Sequence, residues 1–247
     1  MRLRVIALFV FAFLFSNSSK AGPPFRTDDP EPVDHRHWEF YVASQYAKAR
    51  DGLSGTAPHI ELNNGAWENI QLHIILPLAY VQPTGSPTAY GLGDVELGAK
   101  YRFVQESESL PQIGTFPQVE VPTGQENRGL GNGSVQIFLP LWLQKSLGPW
   151  TTYGGAGYWH NPGHTDQNNW FLGWEVQRDL TPALTLGAEI FHLTPKANGE
   201  AAETGFKFGA IVNFTEEHHL LFSAGRDFRN GDLASVYIAY QLTFGPG

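Results

Sequence analysis

The chain has no cysteine and a single methionine. That absence excludes disulfide staples, thiolate-bound metals, a cysteine nucleophile and a lipidated amino-terminal cysteine. Charge is also scarce: only 16% of residues are charged, and 24 acids outnumber 16 bases. An acidic chain lacks the basic face that phosphate contacts need, which excludes a general nucleic-acid partner. Beyond the first residues there is no apolar run long enough for a membrane helix, and mean hydropathy is −0.24. Sustained helical periodicity is missing as well.

The exception opens the chain. Arg2 and Arg4 precede an apolar run from Val5 to Phe15, and SNSSKA follows, with Ser19 and Ala21 spaced for cleavage. This is the pattern of a secretory signal peptide over residues 1–21. The run falls short of the ~20 residues of a spanning helix. Cleavage removes three bases and no acid, which takes the net charge from −8 to −11. The next segment, 22–36, reads GPPFRTDDPEPVDHR. Its prolines and acids predict an extended periplasmic stretch, or one tucked into the mouth of the domain that fills 37–247.

What the chain does have is glycine (27), proline (17) and aromatics (13%). The apolar residues recur with period 2 in short segments broken by Gly, Pro, Asn and Asp, which predicts strands. In GDVELGAKYRF, Val95, Leu97, Ala99, Tyr101 and Phe103 share one face, and Asp94, Glu96, Lys100 and Arg102 share the other. About twelve such segments follow one another, each near the ~10 residues a tilted strand needs to cross a bilayer. Three are weak: HIELN, PQIGTFPQVEV and WTTYGGAGYW. KSLGPW, RDLTPA and TEEHH are tight connections. QPTGSPTAYGLG, PTGQENRGLGNG, HNPGHTDQNN and TPKANGEAAE are long ones that fall mostly on the opposite side, and FRNGD is shorter than that rule prefers. A soluble sandwich has no reason to sort loop length by end, whereas an outer-membrane barrel does. Hydrocarbon cannot satisfy open strand edges, so spanning strands must close. The prediction is an all-β, antiparallel, up-and-down transmembrane barrel of about twelve strands. Its partners would be outer-membrane lipids, the barrel insertion machinery and a small-molecule solute.

On that register the inner face collects His59, Glu61 and Gln118 together with nine candidate pore-lining residues. These are His73, Asp94, Glu96, Lys100, Arg102, Glu120, Glu175, Glu189 and Lys207. Tyr41, Phe138, Trp142, Phe171, Phe191 and Tyr237 share the face and make it amphipathic. Barrels of about eight strands are filled by side chains and those of 16–18 hold an aqueous channel. The inner charges could therefore line a narrow pore or brace a closed wall, and the aromatics could form a ligand path or pack as filler. Trp38, Trp150, Trp159, Trp170 and Trp174 lie near strand ends, where interfacial girdles form. Catalytic signals are poor. His160, His164 and Asp166 share one outer loop without the spacing of a metal site. His218 and His219 fall in a tight turn, where opposite side-chain directions argue against joint action. GLGNG lacks the strand-then-helix context of a phosphate loop. No catalytic set, metal or cofactor is assigned. A barrel that only displays its loops, and a membrane-embedded lipid hydrolase, stand as alternatives to a channel.

Several of these blocks also resemble a known family. They are GPPFRTDDPEPVDHRHWEFY, GLGDVELGAKYRF, and PTGQENRGLGNG followed by LGPW and GGAGYW. They look like the outer-membrane family labelled MetA pathway of phenol degradation, over nearly the whole mature chain. The resemblance implies a barrel in the outer membrane of a Gram-negative bacterium and a transport role tied to aromatic catabolism. It transfers no substrate and no catalytic residue. One departure is the carboxyl terminus. Outer-membrane chains commonly end on an aromatic that the insertion machinery reads, whereas here Gly245, Pro246 and Gly247 follow Phe244.

The register makes a testable statement. Leu97→Arg would put a charge against lipid, cost ~2–4 kcal/mol near the midplane and impair membrane assembly. Lys100→Ala, on the inner face, is expected at this stage to leave assembly largely intact and to shift ion selectivity. Urea titration of refolded protein measures the first effect. Equal tolerance of both substitutions would contradict the register.

Overall fold

A computed structural model describes residues 22–163, 167–197, 199–229 and 231–246. The signal-peptide segment 1–21 lies outside the described residues, as do His164 and Asp166.

Twelve antiparallel strands form the wall. They are β1 (Trp38–Lys48), β2 (Gly52–Trp67), β3 (Ile70–Pro83), β4 (Ala89–Leu92 continued by Val95–Val104) and β5 (Gln112–Thr115 continued by Gln118–Val121). Then come β6 (Gln136–Leu147), β7 (Trp150–His160), β8 (Asn169–Thr181), β9 (Leu184–Leu193), β10 (Glu203–Asn213), β11 (His218–Arg229) and β12 (Ala234–Phe244). Each strand pairs with its sequence neighbours, and β12 returns to β1 in unbroken register from Trp38↔Phe244 to Lys48↔Ala234. That last ladder removes both sheet edges, which is what a spanning sheet requires.

Three irregularities explain why some segments read weakly. β2 is 16 residues long, yet HIELN is its only clean alternation. Gly52, Gly55 and Pro58 read as loop. The ladder to β3 absorbs Pro58 in a register shift between Thr56 and His59, since proline cannot donate to the ladder. β5 breaks at Phe116–Pro117, but the Pro117 carbonyl still accepts from the Ala99 N–H at 3.1 Å and so carries the pairing across the gap. β4 breaks at Gly93–Asp94.

The connections at the two ends differ in length. At the end holding Trp38 and Phe244, β2–β3, β6–β7 and β8–β9 are joined by two residues each. Asn69 and Gly148 there take φ of 63° and 60°, the left-handed geometry that tight hairpins demand. Residues 105–111 are the longer exception at this end. The opposite end carries 122–135, 161–168 and 194–202. QPTGSPTAYGLG, expected to be long, is half strand: β3 runs to Pro83 and β4 starts at Ala89, so only 84–88 connect them.

The alternation sorts as read. Leu97, Tyr101, Phe103, Leu139, Leu172, Ile190, Phe208 and Ile238 are exposed on the outer wall. Tyr41, His59, Glu61, His73, Lys100, Glu175 and Glu189 are buried inside. A carbon-rich belt outside and a polar interior is the inverse of a soluble domain, and it needs lipid as the outer solvent.

Of the two placements expected for 22–36, the structure has the tucked one for 22–33, while 34–36 are exposed, with His35 bridging to Gly65 at the end of β2. Residues 22–33 enter the lumen from the Trp38 end, and Thr27 and Asp29 have no exposed surface at all. The segment acts as a plug. Small residues on the inner wall make room for it. A Cβ added to Gly187 would lie 2.8 Å from the Phe25 ring, and one added to Gly209 would lie 2.6 Å from it. Overpacking of this kind costs about 1–3 kcal/mol. Gly187→Val is therefore expected to dislodge the tip of the plug while leaving the strands paired. Limited proteolysis reads it as new cleavage within 22–36, and undiminished protection would contradict the fit.

Candidate functional site: the lumen and its plug

The plug is rich in proline and pairs few of its own backbone groups: the Phe25 N–H reaches the Gly22 carbonyl at 3.4 Å, and Asp28 and Asp29 accept the N–H groups of Asp29 and Glu31. Lumen side chains pair others. The Glu189 carboxylate on β9 accepts the N–H of Arg26 at 3.0 Å and of Thr27 at 2.8 Å. Gln71 on β3 accepts the Val33 N–H at 2.9 Å, and Ser223 on β11 donates to the Pro24 carbonyl. Gln112 and Gln144 donate to Glu31 at 3.1 and 2.9 Å. A segment held by five strands has one seat.

Charge sets the depth. Lys100 on β4 donates to Asp28 at 2.9 Å and to Asp29 at 3.2 Å, and its ammonium lies 5.1 Å from the Phe116 ring centroid. Arg102, two residues on, faces Glu31 at 3.7 Å. The two bases thus meet the two acidic positions of the plug in order, 28/29 and then 31. Burial pushes the Asp29 carboxyl well above the ordinary carboxylate range, and the neighbouring Asp28 charge adds to the push against the pull of Lys100. In Asp28 burial pushes the same way, but Lys100 and the contacts to Asp29 together outweigh it and hold the carboxyl below its ordinary value. One lysine can fully neutralise one carboxylate at this site, and Asp28 takes that share.

The other inward residues divide into three groups. His73 bridges Glu96, at 2.9 Å, and Asn63, at 2.6 Å, with Glu61 at 3.6 Å, forming a polar track on β2–β4. Glu175 lies directly across from Glu189, and Glu189 across from Lys207. Phe138, Trp142, Phe171 and Phe191 form one buried cluster with Phe116 and Leu193. Tyr41 and Tyr237 belong to a second cluster on the opposite wall.

Three placements depart from the reading of the sequence. Asp94 sits at the break in β4 and accepts the N–H of Gly124 at 2.8 Å and of Asn132 at 2.6 Å. It clamps the 122–135 loop, because the strand that would turn it inward is interrupted at that residue. Trp159, expected in the girdle, faces inward and stacks on Phe138 at 4.7 Å. Trp150 and Trp170 are exposed at strand ends, whereas Trp174, also expected near a strand end, is exposed at mid-strand across from Gly154 and Ile190. His218 contacts the outward Tyr240 hydroxyl, whereas His219 is buried, in keeping with opposite faces. The anchoring residues Arg26, Asp28, Asp29 and Glu31 were not singled out from the sequence. The signal that could have found them is the match of plug acids to the inner bases Lys100 and Arg102.

The plug does not fill the lumen. A cavity of about 640 Å³ opens among the outer ends of the strands, with Arg26, Glu120, Trp159 and Lys207 in its lining. A second of about 160 Å³ runs beside the plug tip along His59, Glu61 and His73. The two share Phe25, Arg26, Gln45, Glu96, Gln118, Phe138 and Tyr237.

Comparison with known proteins places this architecture. Residues 24–237 match the family described as "Putative MetA-pathway of phenol degradation". The fold is similar to that of an outer membrane channel from Pseudomonas putida F1, with a TM-score of 0.73 at 20% identity, over 91% of this chain and 100% of that one. The NanC porin is similar at a TM-score of 0.55 and 7% identity, over 84% of this chain and 100% of its own. The KdgM porin is similar at 0.54 and 10% identity, over 83% and 99%. At these identities the likeness is one of fold.

The seat of the plug revises what Lys100 does. Removing it leaves Asp28 and Asp29 buried without a cation, a situation worth about 3–5 kcal/mol in buried pairs. Lys100→Met is therefore expected to expel the plug with the barrel still folded, rather than to alter selectivity alone. Asp28→Asn together with Asp29→Asn in the same background should restore protection of 22–36 from protease. Native-like protection in Lys100→Met by itself would show that charge does not hold the plug.

Proposed function

The chain belongs to this family, and on that premise we propose that it is a passive outer-membrane channel for small molecules. The observation that carries the proposal is the pair of cavities sharing a wall beside the plug. An apolar outer belt suits the hydrocarbon of the outer membrane, and the linked cavities suit diffusion of a solute past the plug tip. Selectivity would come from the width of the gap and from the charges facing it. His73, Glu96 and Glu120 would act on the β3–β5 side and Lys207 on the β10 side, whereas Glu175 and Glu189 line neither cavity and would brace the wall and the plug. The aromatic cluster favours solutes that are themselves aromatic or modestly hydrophobic. No catalytic step is included, because the lumen carboxylates and His73 are engaged with one another and with the plug.

The tightness of the plug supports a second reading, a closed barrel that displays its loops and passes nothing. Planar-bilayer conductance and liposome uptake of small solutes separate the two. The native protein is expected to show a small conductance, and a variant lacking residues 22–33 a several-fold larger one. Conductance that appears only after the deletion would favour the closed barrel. Silence in both proteins would overturn the channel.

A further inference from the structure

Arg26 sits at the tip of the plug with its guanidinium over the Phe191 ring, 4.7 Å from the centroid. That cation–π seat fixes the group, yet Arg26 forms no ion pair among the described residues. Lys207 forms none either, although it stands directly across the ladder from Glu189. Glu189 is committed to the Arg26 and Thr27 N–H groups. Both cations line the outer cavity. Of the three acids that line that cavity, Glu96 and Glu120 are engaged by hydrogen bonds, and Asp232 forms no ion pair among the described residues. Glu96 takes His73 at 2.9 Å and Gln118 at 2.7 Å, and Glu120 takes Asn132 at 2.7 Å. Glu189, Asp227 and Asp232 all act on these two cations, but Glu189 is committed to the plug and Asp227 accepts the Asp232 N–H at 2.8 Å, so Arg26 and Lys207 keep donors free for a further anion.

An aromatic wall adjoins them. Phe191 packs in one cluster with Phe138 and Phe171. Phe138 stacks on Trp159, and Phe138, Trp159 and Phe171 line the same cavity. We propose that this cavity is a binding site for small aromatic anions of the benzoate type. The carboxylate lies between Arg26 and Lys207, and the ring lies against Phe138, Trp159 and Phe171. Asp232 also lines the cavity without an ion pair, and it competes with the ligand for the two cations. The proposal rests on the channel reading for its physiological meaning, but binding is measurable without transport.

The test is calorimetric titration of sodium benzoate into the folded mature protein in uncharged detergent, with benzyl alcohol as the neutral isostere. Benzoate is expected to bind at least about tenfold more tightly than benzyl alcohol. Lys207→Gln and Arg26→Gln should each weaken benzoate by about tenfold and leave benzyl alcohol within about twofold. Arg26→Gln keeps the backbone N–H that Glu189 holds, so the plug stays anchored. Lys207→Arg should retain binding, and Asp232→Asn should tighten it. Native binding no tighter than that of benzyl alcohol, or charge variants that leave benzoate unchanged, would overturn the site. Bilayer conductance of the same preparations reports on the channel separately. A conducting barrel indifferent to benzoate sinks the site alone, and a silent barrel that binds benzoate sinks the channel alone.

Discussion

Everything in this fold follows from one constraint. A backbone N–H or C=O in hydrocarbon has no water to bond, and each left unpaired costs several kcal/mol. The β1–β12 ladder exists for that reason, and it makes the twelve strands a closed wall with no edge. Closure then dictates the sequence. Alternate residues must face lipid or lumen, so an apolar set and a polar set are interleaved along every strand. Four charges beside four apolar side chains and an alanine in one short stretch would be a contradiction in a soluble core. In this wall it is the solution.

The same constraint governs the plug at one remove. A proline-rich segment brings carbonyls and few donors, and the lumen gives it no strand to pair with. The wall answers with side chains: Glu189 for two N–H groups, Gln71 for a third, and Gln112 and Gln144 for the Glu31 carboxylate. Lys100 and Arg102 then fix how deep the segment sits, because their spacing along β4 matches the spacing of Asp28/Asp29 and Glu31. The acids of the plug therefore belong to the charge balance of the interior. Two cations, Arg26 and Lys207, are left over beside an aromatic wall, and the proposed anion site grows out of that remainder.

The sequence is legible where one local rule decides the outcome. The stretch from Val95 to Phe103 reads correctly because lipid and lumen impose opposite preferences on adjacent residues. The turn at Gly148, read from KSLGPW, is local too. β2 is hard to read, because the barrel tolerates Gly55 and Pro58 by shifting register, a decision made across the ladder. The plug is harder still. Asp28 finds Lys100 across 72 positions of sequence, and no periodicity carries that information. Asp94 misreads because it lies at a break in β4, whereas Trp159 keeps the inward parity of Tyr153, and its nearness to the strand end alone suggests a place in the girdle.

The most direct measurement uses the first absence noted in this chain. Without cysteine, an introduced pair reports with no background. A Cβ placed at Gly173 would lie 2.1 Å from the Thr27 hydroxyl oxygen, which brings Cys at positions 27 and 173 within disulfide reach. Thr27→Cys with Gly173→Cys, expressed in an intact outer membrane and mildly oxidised, should cross-link nearly completely. Two free thiols that both react with a reagent added from the periplasmic side would show that the segment does not occupy the lumen.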